Sequence, residues 1–297
     1  MRVRESVTYG MLQGIVYLSK VMPKRWVYGM CHLAGSAFYR LLRRRRDITL
    51  RNIRLAYPQW SEDEVVRVAK ASYREVSNTV AEILLLLHHR IAIDASIVNR
   101  HEVLDRLAAL QKQYPHGWVL LTAHFGNWEL LAQFLGLHGF TMLIVGREGD
   151  NRLIEERLTQ PFRQRYGNQT VFKKHASVKV MKHLKRQGRV GILMDQKVHP
   201  QEGVAVRFFG RKSYASGLVG ALHHKLPIAV IPIFAVREGR ERFRIELGDP
   251  VEKGDDAIAT TQRYNDAMEA VIRRYPQQWL WMHDRWKQFD NDTKEDA

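Results

Sequence analysis

Residues 118–131, WVLLTAHFGNWELL, decide how this chain is read. An apolar or small run leads into His124, a Gly126-Asn127 turn follows, and Glu129 sits among aromatic and aliphatic residues that resume with helical spacing. That is the pattern of a buried strand, a tight turn and a helix start. On one continuous helix, at about 100° per residue, residues five apart would point about 140° away from each other. A single helix face therefore cannot pair His124 with Glu129. With the strand ending at Ala123 and Asn127 capping the helix, the imidazole lies in the turn and can fold back onto the carboxylate. Such a pair suits acid/base work, because histidine titrates near neutral pH and a carboxylate on one ring nitrogen makes the other a better base. Backbone N–H groups at Gly126, Asn127 and Trp128, at the positive end of the helix, suit a developing oxyanion. A plainer reading makes Glu129 a favourable helix-start residue and His124 a satisfied turn residue, and spacing alone does not choose between them.

Working outward, the chain of 297 residues carries a formal charge of +16, with no linker, repeat or low-complexity tract. One catalytic domain, residues 47–297, is expected behind a helical extension, residues 1–46. The basic balance calls for anionic partners, and nucleic acid, a phospholipid surface and an acidic carrier protein all qualify. A single cysteine, Cys31, excludes an internal disulfide and a cysteine-based zinc site. Neither His88-His89 nor His223-His224 has the helical spacing of a metal pair, so no metal is expected.

The extension is uncharged from Ser6 to Ser19 and, with His32 neutral, from Trp26 to Tyr39. Each run falls short of the ~20 residues that span a bilayer comfortably. With Arg43 to Arg46 closing the second run, the segment reads as an anchor in a membrane face, its basic end at anionic headgroups. The alternative is a pair of core helices with a solvated basic face. Beyond Pro58, Ser61 and Glu64 form a capping-box pattern, and Val65, Ala69, Tyr73, Val76, Val80, Ile83, Leu84 and Leu87 recur at the spacing of a long amphipathic helix. A shorter helix spans Glu102 to Gln113.

After the central turn, strands are expected at Phe140–Val145, Val190–Met194, Ile228–Phe234 and Phe243–Leu247. Helices are expected at Asn151–Tyr166, Ser177–Gln187, Ser213–Lys225 and Ala257–Tyr275. This alternation predicts an α/β fold, a single domain with a central mixed sheet flanked by helices. Sites of such sheets lie beyond the carboxyl ends of strands, where His124 and Asp195 both fall. No glycine-rich nucleotide loop, zinc-protease motif or serine elbow is present, so His124 is expected to deprotonate a substrate hydroxyl directly.

AHFGNWE, RNIRLAYPQWSEDE, GILMDQK with RFFGR, and QQWLWMHDRWK together resemble the late acyltransferases of lipid A synthesis, a branch of the lysophospholipid acyltransferase superfamily. The resemblance runs in register along essentially the whole chain. It implies an enzyme at the cytoplasmic face of the inner membrane that moves a fatty acyl group from acyl-carrier protein to a hydroxyl of an anionic lipid A precursor. It also implies no cofactor beyond the donor's phosphopantetheine, and no nucleic acid.

The family's catalytic His-x-x-x-x-acid pair maps onto His124 and Glu129. Arg147 matches a block that more often reads Tyr-Arg-Pro, and here Gly146 and Glu148 flank it. Arg163 and Arg165 are candidates for lipid phosphate or donor contacts, or for a solvated helix face. Asp195 and Gln196 match an Asp-Gln block expected to orient groups around the site, with structural capping as the alternative. Phe208, Phe209 and Arg211 belong to a Phe-Phe-Gly-Arg block, whose aromatics are candidates for the acyl pocket or for plain core. Where the family commonly has Thr-Pro-Thr-Gly-Pro, this chain has Tyr214 to Leu218, which leaves acyl length and acceptor position open. The same mechanism on another glycolipid or lysophospholipid is one rival. A non-enzymatic basic binder of membrane or nucleic acid is another, although no nucleic-acid module is recognisable.

Overall fold

The computed structural model describes residues 2–172 and 176–287, with side chains from residue 5. Eight strands are present: β1 (Trp118–Thr122), β2 (Leu143–Gly146), β3 (Gln169–Phe172), β4 (Arg189–Leu193), β5 (Val204–Phe208), β6 (Arg211–Ala215), β7 (Ala229–Gly239) and β8 (Arg242–Leu247). Six of them form one mixed sheet in the order β3-β2-β4-β1-β7-β8, and β5-β6 is a separate antiparallel hairpin. All contacts in the six-stranded sheet are parallel except β7 with β8. A parallel strand covered on both faces needs apolar side chains throughout, and all five residues of β1 are buried.

Before β1 the chain forms α1 (Arg2–Val21), α2 (Lys24–Leu41), α3 (Arg43–Ala56), α4 (Glu62–Leu87), α5 (Ile93–Ser96) and α6 (Arg100–Gln113). After it come α7 (Trp128–Leu137), α8 (Arg152–Ile154), α9 (Gln160–Gln164), α10 (Ala176–Lys185), α11 (Leu218–Lys225) and α12 (Ala257–Arg274). Side chains alternate across the sheet. Val119 and Leu121 join Val180, Val219, Tyr264 and Met268 on one face. Leu120 joins Leu107, Leu131 and Phe134 on the other. The capping box of α4 is formed, Glu64 N–H donating to Ser61 Oγ and Ser61 N–H to Glu64 Oε2, a start worth about 1 kcal/mol.

Three expectations need correction. The helix expected from Ser213 begins only at Leu218, because Arg211 to Ala215 pair with Val204 to Phe208 as a hairpin around Phe209 and Gly210, both at positive φ. Asn151–Tyr166 is not one regular helix. Pro161 has no N–H for the carbonyl four residues back, and a π turn, Glu155–Thr159, lies where that bond is missing. The four arginines open α3 rather than close α2, since Leu42, at φ −88° and ψ 70°, breaks the helix before them. Strand β3, four residues at the sheet edge, gave no sequence signal.

No helix among the described residues is long and apolar enough to cross a membrane. On α1, however, Val7, Met11, Ile15 and Leu18 are exposed at spacings of four, four and three, which makes one apolar stripe. On α2, Val27, Tyr28 and Cys31 are buried, while Trp26, Leu33, Phe38 and Leu41 face out.

Candidate active site

The site is built where β1 and β4 end. These strands pair in parallel with Thr122 opposite Leu193, so His124 and Asp195, each two residues further on, arrive side by side. Asp195 Oδ1 lies 2.9 Å from His124 Nδ1, and Asp195 Oδ2 accepts the His124 N–H at 3.1 Å. Trp279 Nε1 donates to the same Oδ2 at 2.9 Å, and Arg285 donates to the Asp195 carbonyl. Burial opposes ionisation of Asp195, yet His124 and the Trp279 indole hold its carboxyl well below the usual carboxylate range. An ionised Asp195 assigns the Nδ1 proton to His124. Nε2 is then the basic nitrogen, with the Gln196 amide nitrogen 3.4 Å away.

The turn leaves little freedom. Gly126 has φ +55°, and a Cβ there would lie 1.9 Å from the Ala235 carbonyl oxygen, so no other residue fits. Asn127 Oδ1 accepts from Leu130 N–H at 2.9 Å, and its amide donates to the fully buried Glu82 at 2.7 Å. Arg237 donates to Glu82, to Glu75 at 2.6 Å and to Thr79 at 3.1 Å, and Thr79 Oγ1 in turn donates to the Gly126 carbonyl at 2.8 Å. From the other side, Gly126 N–H donates to Gln278 O at 3.0 Å and Leu280 N–H to His124 O at 3.1 Å. The C-terminal segment thus runs against the His124 turn as a short antiparallel partner.

Glu129 lies on the first turn of α7 but is held elsewhere. Arg163, from α9, donates Nη2 to its Oε1 at 2.6 Å, with Nε 3.1 Å from the same oxygen and 3.3 Å from Oε2. Burial works against the charge on Arg163, but Glu129 raises its pKa. The expected fold-back of His124 onto Glu129 is therefore not the arrangement seen: the ring faces the end of β4, the carboxylate faces α9, and Asp195 takes the Nδ1 position.

His124, Trp128, Glu129, Arg147, Arg163 and Gln196 share the wall of a cavity of about 380 Å³. Its polar end is partly open to solvent. From there it runs beneath α7, over the sheet, to the buried Leu120, Leu131, Leu135, Met142 and Gly191. Gly191 makes room for Met142, whose sulfur would lie 2.4 Å from a Cβ built on the glycine.

Other expected residues stand apart. Phe208 and Phe209 do not line the cavity; they pack with Trp279, Trp281 and Trp286 in the aromatic core, where the hairpin delivers them. Arg165 donates to Leu86 O and Leu87 O at the end of α4, and Arg211 to Leu55 O at the end of α3. Carbonyls at a helix end lack intrahelical donors, so both arginines serve as caps rather than substrate contacts. Arg147, largely exposed, pairs with Asp150 at the cavity rim. The Gly126 N–H, engaged by Gln278, is not a free oxyanion donor. The first two amides of α7, at Trp128 and Glu129, have no intrahelical acceptor and take over that candidacy. Among the described residues no group of three or more His, Cys, Asp or Glu is placed to hold a metal ion.

Sequence reasoning missed Trp279, Arg285 and the buried Glu82–Arg237 pair. A lone acid within the apolar run around Ala81–Leu87 was the available signal for Glu82.

Residues 3–288 match the model of the bacterial lipid A biosynthesis acyltransferases. The chain is 25% identical over 284 residues to the lipid A biosynthesis lauroyltransferase of Escherichia coli strain K12, covering 92% of this chain and 89% of that one. It is 25% identical over 249 residues to a lipid A biosynthesis acyltransferase of Haemophilus influenzae, covering 82% and 78%. A single family thus accounts for nearly every residue from the first helix to the C-terminal segment that braces the His124 turn, and the chain belongs to the bacterial lipid A biosynthesis acyltransferase family.

Proposed function

We propose that this protein transfers a fatty acyl group from acyl-carrier protein to a hydroxyl of a lipid A precursor. The observation that carries the reading is an imidazole fixed by a buried carboxylate at the mouth of an apolar cavity. His124 Nε2 takes the proton of the acceptor hydroxyl, and the oxygen attacks the thioester carbonyl. As the C–O bond forms and the C–S bond breaks, the phosphopantetheine thiolate leaves and receives that proton from the imidazolium. Asp195 holds the ring and its tautomer, while Glu129, the family's second catalytic position, contributes negative charge across the cavity and keeps Arg163 in place. The α7 amides and Arg163 stabilise the oxyanion. The acyl chain lies along Leu120, Leu131, Leu135 and Met142. No resident cofactor is needed.

The charge of +16 favours both an acidic carrier protein and an anionic acceptor. The exposed apolar residues of α1 and α2 suit a helix pair lying in a membrane surface, and we place the protein at the cytoplasmic face of the inner membrane. Purified protein, detergent-dispersed lipid A precursor and acyl-carrier-protein donors test the reading by mass spectrometry. The acceptor should gain one acyl mass, and His124→Ala should lose about 10² to 10⁴ in rate while its melting temperature is kept. No acyl gain with the wild type, or near-normal turnover by folded His124→Ala, overturns it. Gain on another glycolipid or lysophospholipid alone would move the acceptor and keep the mechanism.

A further inference from the structure

Between α2 and α4, on the side of α4 opposite the Glu75–Thr79–Glu82 face that supports the catalytic turn, lies a groove of about 560 Å³. Its residues follow one stripe of each helix, Gly35, Ser36 and Arg40 from α2 and Lys70, Arg74 and Ser77 from α4. The helices meet closely at its floor, where a Cβ on Gly35 would lie 2.0 Å from Ser77 Oγ. No carboxylate lines the groove, and Arg40, Lys70 and Arg74 are exposed with no ion pair or hydrogen bond among the described residues. Three unpaired cations converging on one hollow repel each other, an arrangement that an anion relieves. Leu33, Phe38 and Leu41 of α2 and Val80 of α4 are exposed on the same two helices. Unpaired cations and exposed apolar side chains carried by the same two helices suit the surface of a membrane, where phosphate and acyl chain are both on offer.

We propose that the α2–α4 groove binds the phosphate of an anionic phospholipid headgroup and so sets how the protein sits on the membrane; this rests on the membrane placement given above. The full-length protein is tested by sedimentation with vesicles of phosphatidylcholine alone or with one third phosphatidylglycerol. The wild type should prefer the anionic vesicles. Arg40→Gln/Lys70→Gln/Arg74→Gln should lose on the order of 100-fold of that binding, at about fivefold per cation removed. A control with the same charge change at the C-terminal end of α10 and the residue after it, Lys182→Gln/Lys185→Gln/Arg186→Gln, should lose at least tenfold less. All six side chains are exposed, and melting temperatures confirm that the folds are kept. Equal losses in the two variants, or equal wild-type binding to both vesicles, overturn the groove and leave the membrane placement standing. Absence of vesicle binding by the wild type overturns both. If inorganic phosphate at constant ionic strength removes the preference as fully as the triple substitution does, the groove is a site for free phosphate and the headgroup assignment falls.

Discussion

Asp195 and Glu129 are buried carboxylates on either side of one turn, held in opposite ways. Asp195 sits behind His124 and accepts from the ring, the His124 N–H and the Trp279 indole, none of them a permanent cation. Its charge is therefore shared most directly with the imidazole, which it orients. Glu129 faces the cavity and spends its charge on a guanidinium that does not lose its proton. A carboxylate neutralised by arginine acts on the ring only weakly, and it positions Arg163 firmly. Two residues of one chemical class thus hold different partners, Asp195 an imidazole and Glu129 a guanidinium, and in the proposed mechanism the first fixes the base while the second shapes the charge around the acyl carbonyl.

The comparison is broken most directly by removing each charge in turn. Asp195→Asn is expected to lose on the order of 10⁴ in kcat, as when the orienting carboxylate of a histidine base is replaced by an amide that selects the wrong tautomer. Glu129→Gln should lose about 10²-fold, since the oxyanion side is affected instead. If Glu129→Gln is as inactive as His124→Ala while Asp195→Asn turns over nearly normally, the ring changes partner when substrate binds, and Asp195 is reduced to a structural role.

The cavity end of the same comparison is sharpened by Gly191→Ala. The added methyl must displace the Met142 sulfur, and the open side is the cavity that both residues line. Each methylene of an extended chain advances about 1.3 Å, the projection of a ~1.5 Å C–C bond. In competition among donors of graded length, the variant should therefore favour an acyl chain shorter by roughly two carbons. An unchanged product length by mass spectrometry would place the chain elsewhere.

The smallest effect is on stability. Because the native pKa of Asp195 is depressed, its contribution is complete above the ordinary carboxylate range and is lost as pH falls toward the native value. Between pH 7 and pH 3 the wild type should lose more melting temperature than Asp195→Asn does, each measured against its own value at pH 7. Parallel declines would mean that Asp195 gains nothing from its setting.

Elements with strong local signals were legible in the residues. The capping box of α4, the buried run of β1, the turn glycine and the alternation that implies an α/β sheet all follow from local sterics and periodicity. The hairpin β5-β6 and the edge strand β3 were not, because short pairings are stabilised by partners distant in the chain rather than by their own pattern. Phe208 and Phe209 show the same limit. Two aromatics in a row announce burial, and only the hairpin's docking decides that they face Trp279 and Trp286 rather than an acyl chain.

By itself, the sequence determined that a histidine would stand in a strand-to-helix turn, that Glu129 would open the following helix, and that the chain would be unusually basic. Only the tertiary structure decided which acid the histidine meets. That choice depends on β4 being inserted between β2 and β1 and on a register that sets Leu193 opposite Thr122. Strand order and register are fixed by the summed burial of two sheet faces, and no spacing within a single segment encodes that sum.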